Sequence, residues 1–141
     1  MTPPIHVVAS EHDLQLLTVS RNGSYSRAQI ENLPTPIRRR FFRATSQHGE
    51  IVQIRAELRE LVTFRQIDLR MPVWPMRPHF DVIFCRGVLN TLDWELQANA
   101  LANFDELLDE EGLLFVGLDD EVERANSTLA RIAPALYRKK R

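Results

Sequence analysis

Three polar residues that are able to bind a small molecule each follow a stretch with the pattern of a buried strand: Glu11, Asp68 and Arg86. Carboxylates accept hydrogen bonds, whereas a guanidinium only donates them. In a parallel sheet, ligands bind in the crevice beyond the carboxyl ends of the strands. The pattern therefore predicts that these three residues face one crevice. It predicts a small-molecule site without specifying its chemistry.

Each of these residues also has a structural interpretation, which the sequence leaves open. Arg86 can serve as an ion-pair partner, and Glu11 can favour the N-terminus of a following helix. Asp68 stands beside a proline-rich segment and suits a turn. Cys85, the single cysteine of the chain, is interpreted as a small buried hydrophobe at a strand end and not as a nucleophile.

The elements that must position these residues alternate between strand and helix. Strands are predicted from buried or alternating apolar runs at 5–9, 62–67, 80–85 and 113–118. One helix is predicted at 11–20, with Ser10 as its N-cap and Asn22-Gly23 as its end. Another is predicted at 93–108, where the apolar residues fall on one side. The alternation predicts an α/β fold with a largely parallel sheet.

Other segments depart from this alternation. Residues 43–61, with a turn at His48-Gly49, are predicted to form a small antiparallel unit. Residues 68–79 contain three prolines and are predicted to be a loop, with Trp74 packing on the surface of the sheet. The C-terminal part is predicted to hold a helix at 122–131. A last strand at 133–138, interrupted by a proline, is expected at a sheet edge.

Composition limits the classes of function. The 141 residues are enough for one domain, and the formal net charge of −1 provides no field that attracts nucleic acid or membrane. The N-terminal sequence lacks the pattern of a signal peptide, and no apolar run is long enough to span a membrane. With the single cysteine, this favours the cytoplasm. The four histidines show no metal-ligand spacing, so no metal is predicted.

Six blocks of sequence carry a resemblance to a known family. They are, in order, VASEHDLQLLTVSRNGSY, RRFF, LRELVTFRQIDL, FDVIFCRGVLNTLD, LLDEEGLLFVGLDDE and ALYRKK. Together they resemble the CheR family, the S-adenosylmethionine-dependent methyltransferases that methylate glutamates of chemotaxis receptors. The resemblance implies a Rossmann-like methyltransferase sheet over residues 1–141, with an inserted antiparallel subdomain at about 43–61. It also implies S-adenosylmethionine as cofactor, and the cytoplasmic helices or tail peptide of a chemoreceptor as partner.

The resemblance also assigns cofactor-binding positions. Glu11 stands where the family has an aspartate that binds the ribose hydroxyls, and Asp68-Leu69 stand at an Asn-Leu pair near the adenine. Arg86 keeps the arginine of the family's Cys-Arg-Asn-Val block and Gly87 replaces its asparagine, while Thr91-Leu92 replace a Tyr-Phe pair near the transferred methyl. The predicted cofactor-binding residues are therefore Glu11, Asp68, Leu69, Arg86 and Gly87, and no catalytic residue is assigned.

The first strand of the family fold, with its glycine-rich loop, has no counterpart before Ile5, so an N-terminally truncated sheet is expected. Either the strands at 5–9 and 80–85 pair directly, or another chain fills the gap, or the sequence is a fragment. A homodimer through exposed strand edges is one expectation. Whether the chain is an active enzyme is open, the alternative being an inactive CheR-like module that binds receptors or signalling partners.

Overall fold

The computed structural model describes residues 5–77, 79–125 and 128–140. Pro78, one of the three prolines of the predicted loop, lies outside the described residues. Within the described ranges, no helix has the length and apolar character needed to cross a lipid bilayer. The chain divides into two compact units, which are described in turn.

The first unit, Met1–Ile67, contains a parallel strand pair and an antiparallel sheet. Its elements are, in chain order, β1 (Val7–Glu11), α1 (Leu14–Asn22), β2 (Ser24–Ser26), a 3₁₀ turn (Arg27–Ile30), α2 (Thr35–Phe41), β3 (Phe42–Ala44), β4 (Ile51–Ile54), α3 (Ala56–Arg59) and β5 (Val62–Gln66). β1 and β5 run in parallel, with Glu11 opposite Gln66. The strands predicted at 5–9 and 62–67 are thus confirmed, the first of them shifted to Val7–Glu11. They pair with each other, which the sequence did not predict, and their carboxyl ends share one edge.

The N-terminus of α1 differs from the prediction. The cap is Asp13, whose carboxylate accepts the backbone N–H groups of Gln15 at 2.7 Å and Leu16 at 3.1 Å. Ser10 is not the cap, because β1 continues through Glu11 and keeps Ser10 in the strand. The predicted end of the helix is confirmed: Gly23 adopts the left-handed conformation with φ 59°, which glycine reaches without steric penalty.

The antiparallel sheet has the strand order β2-β4-β3. Its β3–β4 hairpin turns at Gly49, which has φ 67° and donates its N–H to the Ser46 carbonyl at 3.0 Å. The antiparallel unit predicted at about 43–61 overlaps this sheet but omits β2. That strand has only three residues, Ser24–Ser26, and one apolar side chain, too little for an alternation signal.

The second unit, Asp68–Arg141, contains a mixed four-stranded sheet in the order β6-β7-β9-β8. Its elements are, in chain order, β6 (Phe80–Cys85), a 3₁₀ turn (Leu89–Thr91), α4 (Trp94–Leu107), β7 (Leu108–Val116), a 3₁₀ turn (Glu123–Ala125), β8 (Leu129–Ala133) and β9 (Leu136–Lys139). β6 and β7 are parallel, whereas β9 is antiparallel to both of its neighbours. The expectation of a largely parallel sheet is therefore wrong for this unit.

A bulge interrupts the pairing of β7 with β6 between Leu108 and Leu113. Phe80 pairs with Leu108 and Val82 pairs with Leu113, so β7 contains extra residues between these pairs. A Cβ at Gly112 would lie 2.9 Å from the backbone oxygens of both Phe80 and Asp109. Glycine is needed at this position because the two strands approach too closely for a side chain.

The C-terminal prediction is wrong in two respects. Where a helix was expected at 122–131, the described residues form a 3₁₀ turn and the strand β8. β9 is an interior strand between β7 and β8, not an edge strand. Pro134 causes no loss of pairing because it lies in the β8–β9 turn, next to Ala135 with φ 57°.

The core of the second unit lies between α4 and one face of the sheet. The α4 prediction is confirmed: Asp93 caps the helix by accepting the Leu96 N–H at 3.0 Å. Its buried side comprises Ala100, Leu101, Phe104 and Leu107, and the sheet contributes Leu114, Val116, Leu129 and Tyr137. Trp74 is buried and packs edge-on against Phe104, with ring centroids 4.9 Å apart. It therefore packs on the helix and not, as expected, on the surface of the sheet.

Candidate functional site

Glu11 is the last residue of β1, at the carboxyl end of the parallel pair in the first unit. Its Oε1 accepts the backbone N–H groups of His12 at 2.7 Å and Asp13 at 3.0 Å. The hydrogen bond from Asp13 is the main cause of a lowered pKa for the Glu11 carboxyl, with a smaller contribution from His12. Glu11 is therefore an oriented carboxylate that is ionised at neutral pH, able to accept hydrogen bonds from paired hydroxyls.

Asp68 and Leu69 begin the loop of the second unit. Both oxygens of the Asp68 carboxylate are engaged by Arg70, whose Nε lies 2.9 Å from Oδ1 and whose Nη2 lies 2.7 Å from Oδ2. The Asp68 carbonyl accepts the Met71 N–H at 3.0 Å, which closes a turn. The structural interpretation of Asp68 as a turn residue is thus confirmed. A role for Asp68 and the half-buried Leu69 beside an adenine stays a prediction.

Arg86 and Gly87 follow directly on β6, at its carboxyl end, and both are exposed. Gly87 has φ 71°, a left-handed conformation that glycine adopts freely and asparagine tolerates better than most residues. No described atom outside its chain neighbours lies within 4 Å of a Cβ built at Gly87. Glycine at position 87 thus adopts a backbone conformation that asparagine also tolerates. The adjacent Arg86 side chain is exposed to solvent.

Two residues on either side of Arg86-Gly87 have structural contacts. Cys85 is 7% exposed, and burial, with the nearby charge of Asp120, raises the pKa of its thiol to about 12. It is protonated at neutral pH, so the interpretation as a buried hydrophobe is confirmed and a thiolate nucleophile is excluded. Thr91 donates its hydroxyl to the Val88 carbonyl at 2.7 Å, which stabilises the 3₁₀ turn.

Asp120 is a residue of this region that the sequence did not single out. It is 8% exposed and is the one charged residue that is buried in the described part of the chain. Its Oδ2 accepts the Gly117 N–H at 2.6 Å and its Oδ1 accepts the Asn90 N–H at 3.1 Å. The carboxylate thus joins the loop after β7 to the loop after β6.

An open surface depression of about 600 Å³ lies beside these two loops. It is lined by Asn90, Trp94, Gln97, Asp119, Glu121 and Arg124. Arg124 is paired with Glu121 at 2.8 Å, so the lining leaves a negative charge at Asp119. None of the five predicted cofactor-binding residues is among its lining residues in the part of the chain that the structure describes.

The structure thus places the predicted residues in two groups. Glu11 belongs to the first unit, and the other four belong to the second. Asp68 and Leu69 share one turn, and Arg86 and Gly87 share another. A common crevice for Glu11, Asp68 and Arg86 stays a prediction.

Solved structures with a similar fold are methyltransferases. A glycopeptide N-methyltransferase, MtfA, solved with S-adenosylmethionine, matches with a TM-score of 0.50 and 18% sequence identity. The match covers 79% of this chain and 34% of that chain. At this identity the likeness concerns the fold, which is that of an S-adenosylmethionine-dependent methyltransferase.

Sequence comparison then gives the family. The profile described as "CheR methyltransferase, SAM binding domain" matches residues 2–136. The chain is similar to chemotaxis protein methyltransferase 2 of Pseudomonas aeruginosa, with 35% identity over 136 residues, covering 96% of this chain and 49% of that protein. It is 37% identical over 112 residues to the chemotaxis protein methyltransferase of Escherichia coli K12, covering 79% of this chain and 39% of that protein. The chain belongs to the CheR methyltransferase family and corresponds to its S-adenosylmethionine-binding domain.

The family assignment fixes the cofactor as S-adenosylmethionine, and the side chains fit it in chemical type. An oriented carboxylate at Glu11 suits the ribose hydroxyls, and the exposed guanidinium of Arg86 suits the carboxylate of the methionine part. The chain spans about half or less of the length of the curated relatives it matches. Activity, substrate and partners of a whole methyltransferase are therefore matters for proposal.

Proposed function

We propose that the chain serves in the methylation of glutamate side chains of chemotaxis receptors, in the cytoplasm, as part of signal transduction. The observation that carries the proposal is the family match over residues 2–136, together with relatives whose name is chemotaxis protein methyltransferase. In this proposal Glu11 binds the ribose hydroxyls, Asp68 and Leu69 lie at the adenine, and Arg86 and Gly87 bind the remainder of the cofactor.

The chemistry needs few groups from the protein. S-adenosylmethionine supplies an electrophilic methyl group on a sulfonium, and the acceptor is a glutamate carboxylate that is already ionised at neutral pH. No general base is required, so the protein has to bind, align and partly desolvate the reactants. The absence of an assigned catalytic residue is compatible with this reaction.

The proposed partner is a chemoreceptor, through its cytoplasmic helices or its tail peptide. The antiparallel sheet β2-β4-β3 is our proposed counterpart of the inserted subdomain that docks such a peptide in some family members. An extended peptide can add to a strand at the edge of this sheet through backbone hydrogen bonds. Pairing of exposed strand edges between two copies of the chain is a further proposed association.

The proposal is tested with chemoreceptors from the source organism and S-adenosylmethionine carrying a labelled methyl group. We expect the receptor to gain label that alkali releases as methanol, since glutamyl methyl esters hydrolyse in base. A receptor with its acceptor glutamates replaced by glutamine is the matched control and should stay unlabelled. Cofactor binding without label transfer would contradict the enzymatic role and favour the inactive module, whereas label that resists alkali would contradict glutamate as acceptor.

A further inference from the structure

The loops beyond the carboxyl ends of β6 and β7 are joined by one carboxylate. Asp120 Oδ1 binds the N–H of Asn90, in the 3₁₀ turn after β6, and Oδ2 binds the N–H of Gly117, directly after β7. Asp120 also donates its own N–H to the Gly117 carbonyl at 3.2 Å, so its loop folds back on itself. Both oxygens thus accept backbone hydrogen bonds, and the two loops are tied together at a single buried point.

The composition of the loop supports this geometry. Asp119 and Glu121 flank Asp120 and are exposed, whereas Asp120 alone of the three is turned inward. A Cβ at Gly117 would lie 2.8 Å from Asp120 Oδ2 and 3.5 Å from the Gly87 nitrogen. Glycine at 117 therefore leaves room both for the carboxylate and for the close approach of the turn that contains Gly87.

The turn held by Asp120 begins at the two predicted cofactor-binding residues that follow β6. Arg86 and Gly87 precede Asn90 by four and three residues, and the buried Leu89 fixes the turn from its inner side. The turn is closed locally by the Thr91 N–H, which binds the Val88 carbonyl at 2.9 Å. Such local bonds define the shape of the turn, while the bond to Asp120 fixes its position against the loop after β7.

We propose that Asp120 is a positioning residue for cofactor binding, whose carboxylate holds the turn 86–90 in the conformation that presents Arg86 and Gly87. The inference rests on the proposed role of those two residues. Buried charged acceptors form stronger hydrogen bonds than neutral ones, and leaving the N–H groups of Asn90 and Gly117 without an acceptor loosens both loops. Asp120 is not a catalytic residue, because its oxygens face the backbone and not the reactants.

The test compares Asp120→Ala and Asp120→Asn with the unaltered chain in two measurements. Amide hydrogen exchange reports on the turn without any cofactor, and titration with S-adenosylhomocysteine reports on binding. We expect exchange at residues 87–91 and at Gly117 to rise at least tenfold in Asp120→Ala, with affinity falling by a similar factor. Asp120→Asn should give intermediate values, because an amide keeps one acceptor oxygen but turns an NH₂ group towards the other N–H.

Glu123→Gln provides the matched control in the same unit. Glu123 accepts the hydroxyl of the buried Tyr137 at 2.9 Å, so the variant perturbs a hydrogen bond of the unit in which neither Asp120 nor the turn 86–90 takes part. We expect it to leave exchange at residues 87–91 and affinity unchanged. The proposal is overturned if Asp120→Ala leaves that exchange unchanged, if Asp120→Asn matches the unaltered chain, or if faster exchange leaves affinity intact. If the unaltered chain binds no S-adenosylhomocysteine, the proposed function fails, and exchange alone decides whether Asp120 holds the turn.

Discussion

Replacing Glu11 with alanine is expected to weaken binding of S-adenosylhomocysteine by roughly 10- to 100-fold. The carboxylate is already oriented by the backbone N–H groups of His12 and Asp13, so it can accept two ribose hydroxyls without reorganisation. Glu11→Asp, which restores the residue usual in the family, should retain most of the affinity. Isothermal titration of the three chains checks the result.

The pH dependence of the same binding follows from the lowered pKa of the Glu11 carboxyl. Because the folded pKa lies below the ordinary value of 4.5, the ionised form persists throughout the neutral range. Any contribution of these hydrogen bonds to the free energy of folding is present at pH values above the ordinary pKa of the Glu11 carboxyl. It is lost as the pH falls through the pKa that this carboxyl has in the folded chain. Affinity should therefore be flat from neutral pH down to about pH 5.5.

Glu31→Ala is the matched control for Glu11→Ala, because Glu31 is an exposed carboxylate of the same unit. Equal affinity for Glu11→Ala and the unaltered chain would contradict the assignment of Glu11 to the ribose hydroxyls.

Replacing Leu101 with alanine is expected to lower the free energy of unfolding of the second unit by about 2–5 kcal/mol. Leu101 is 1% exposed, on the side of α4 that also buries Ala100 and Phe104. The variant removes buried methyl groups and leaves a cavity that close-packed neighbours fill only in part. Both tryptophans of the chain, Trp74 and Trp94, lie in this unit, so tryptophan fluorescence during urea unfolding reports on it.

Leu118→Ala serves as the control because Leu118 is 78% exposed. It should change the free energy of unfolding by no more than about 0.5 kcal/mol. Equal losses for the two variants would contradict the placement of the core against α4.

The sequence predicts elements well where one local signal dominates. α4 has an apolar side with helical spacing and a capping aspartate, and the end of α1 has a glycine in the conformation that only glycine adopts freely. Prediction from the sequence fails where several residues are equally able to cap a helix, or where a strand depends on pairing with a distant segment of the chain. Ser10 and Asp13 are both good capping residues, and the choice between them depends on how far β1 pairs with β5. β8, expected as part of a helix, is a strand because it pairs with β9, and β9, expected at an edge, is interior because it pairs on both sides. No local pattern reveals this pairing.

The candidate site shows the same division. Arg86 could be located because it follows a strand with a largely apolar sequence, whereas Gly87 was assigned from the family resemblance alone. Asp120 could not, because in the run Asp119-Asp120-Glu121 each acidic residue suits a solvated turn equally well. Only the fold determines that Asp120 turns inward, because its two carboxylate oxygens accept hydrogen bonds from N–H groups of loops that follow two different strands.

Titration of the chain with S-adenosylhomocysteine tests the central claim, that this is an S-adenosylmethionine-binding domain of the CheR family. We expect saturable heat with one ligand bound per chain, and competition by S-adenosylmethionine. Adenosine, which lacks the methionine part, should bind more weakly, because in the proposed function Arg86 and Gly87 bind the part of the cofactor that adenosine lacks. A cooperative urea transition, followed by tryptophan fluorescence, shows that the chain is folded. If such a folded chain gives no heat at millimolar ligand, the claim is contradicted.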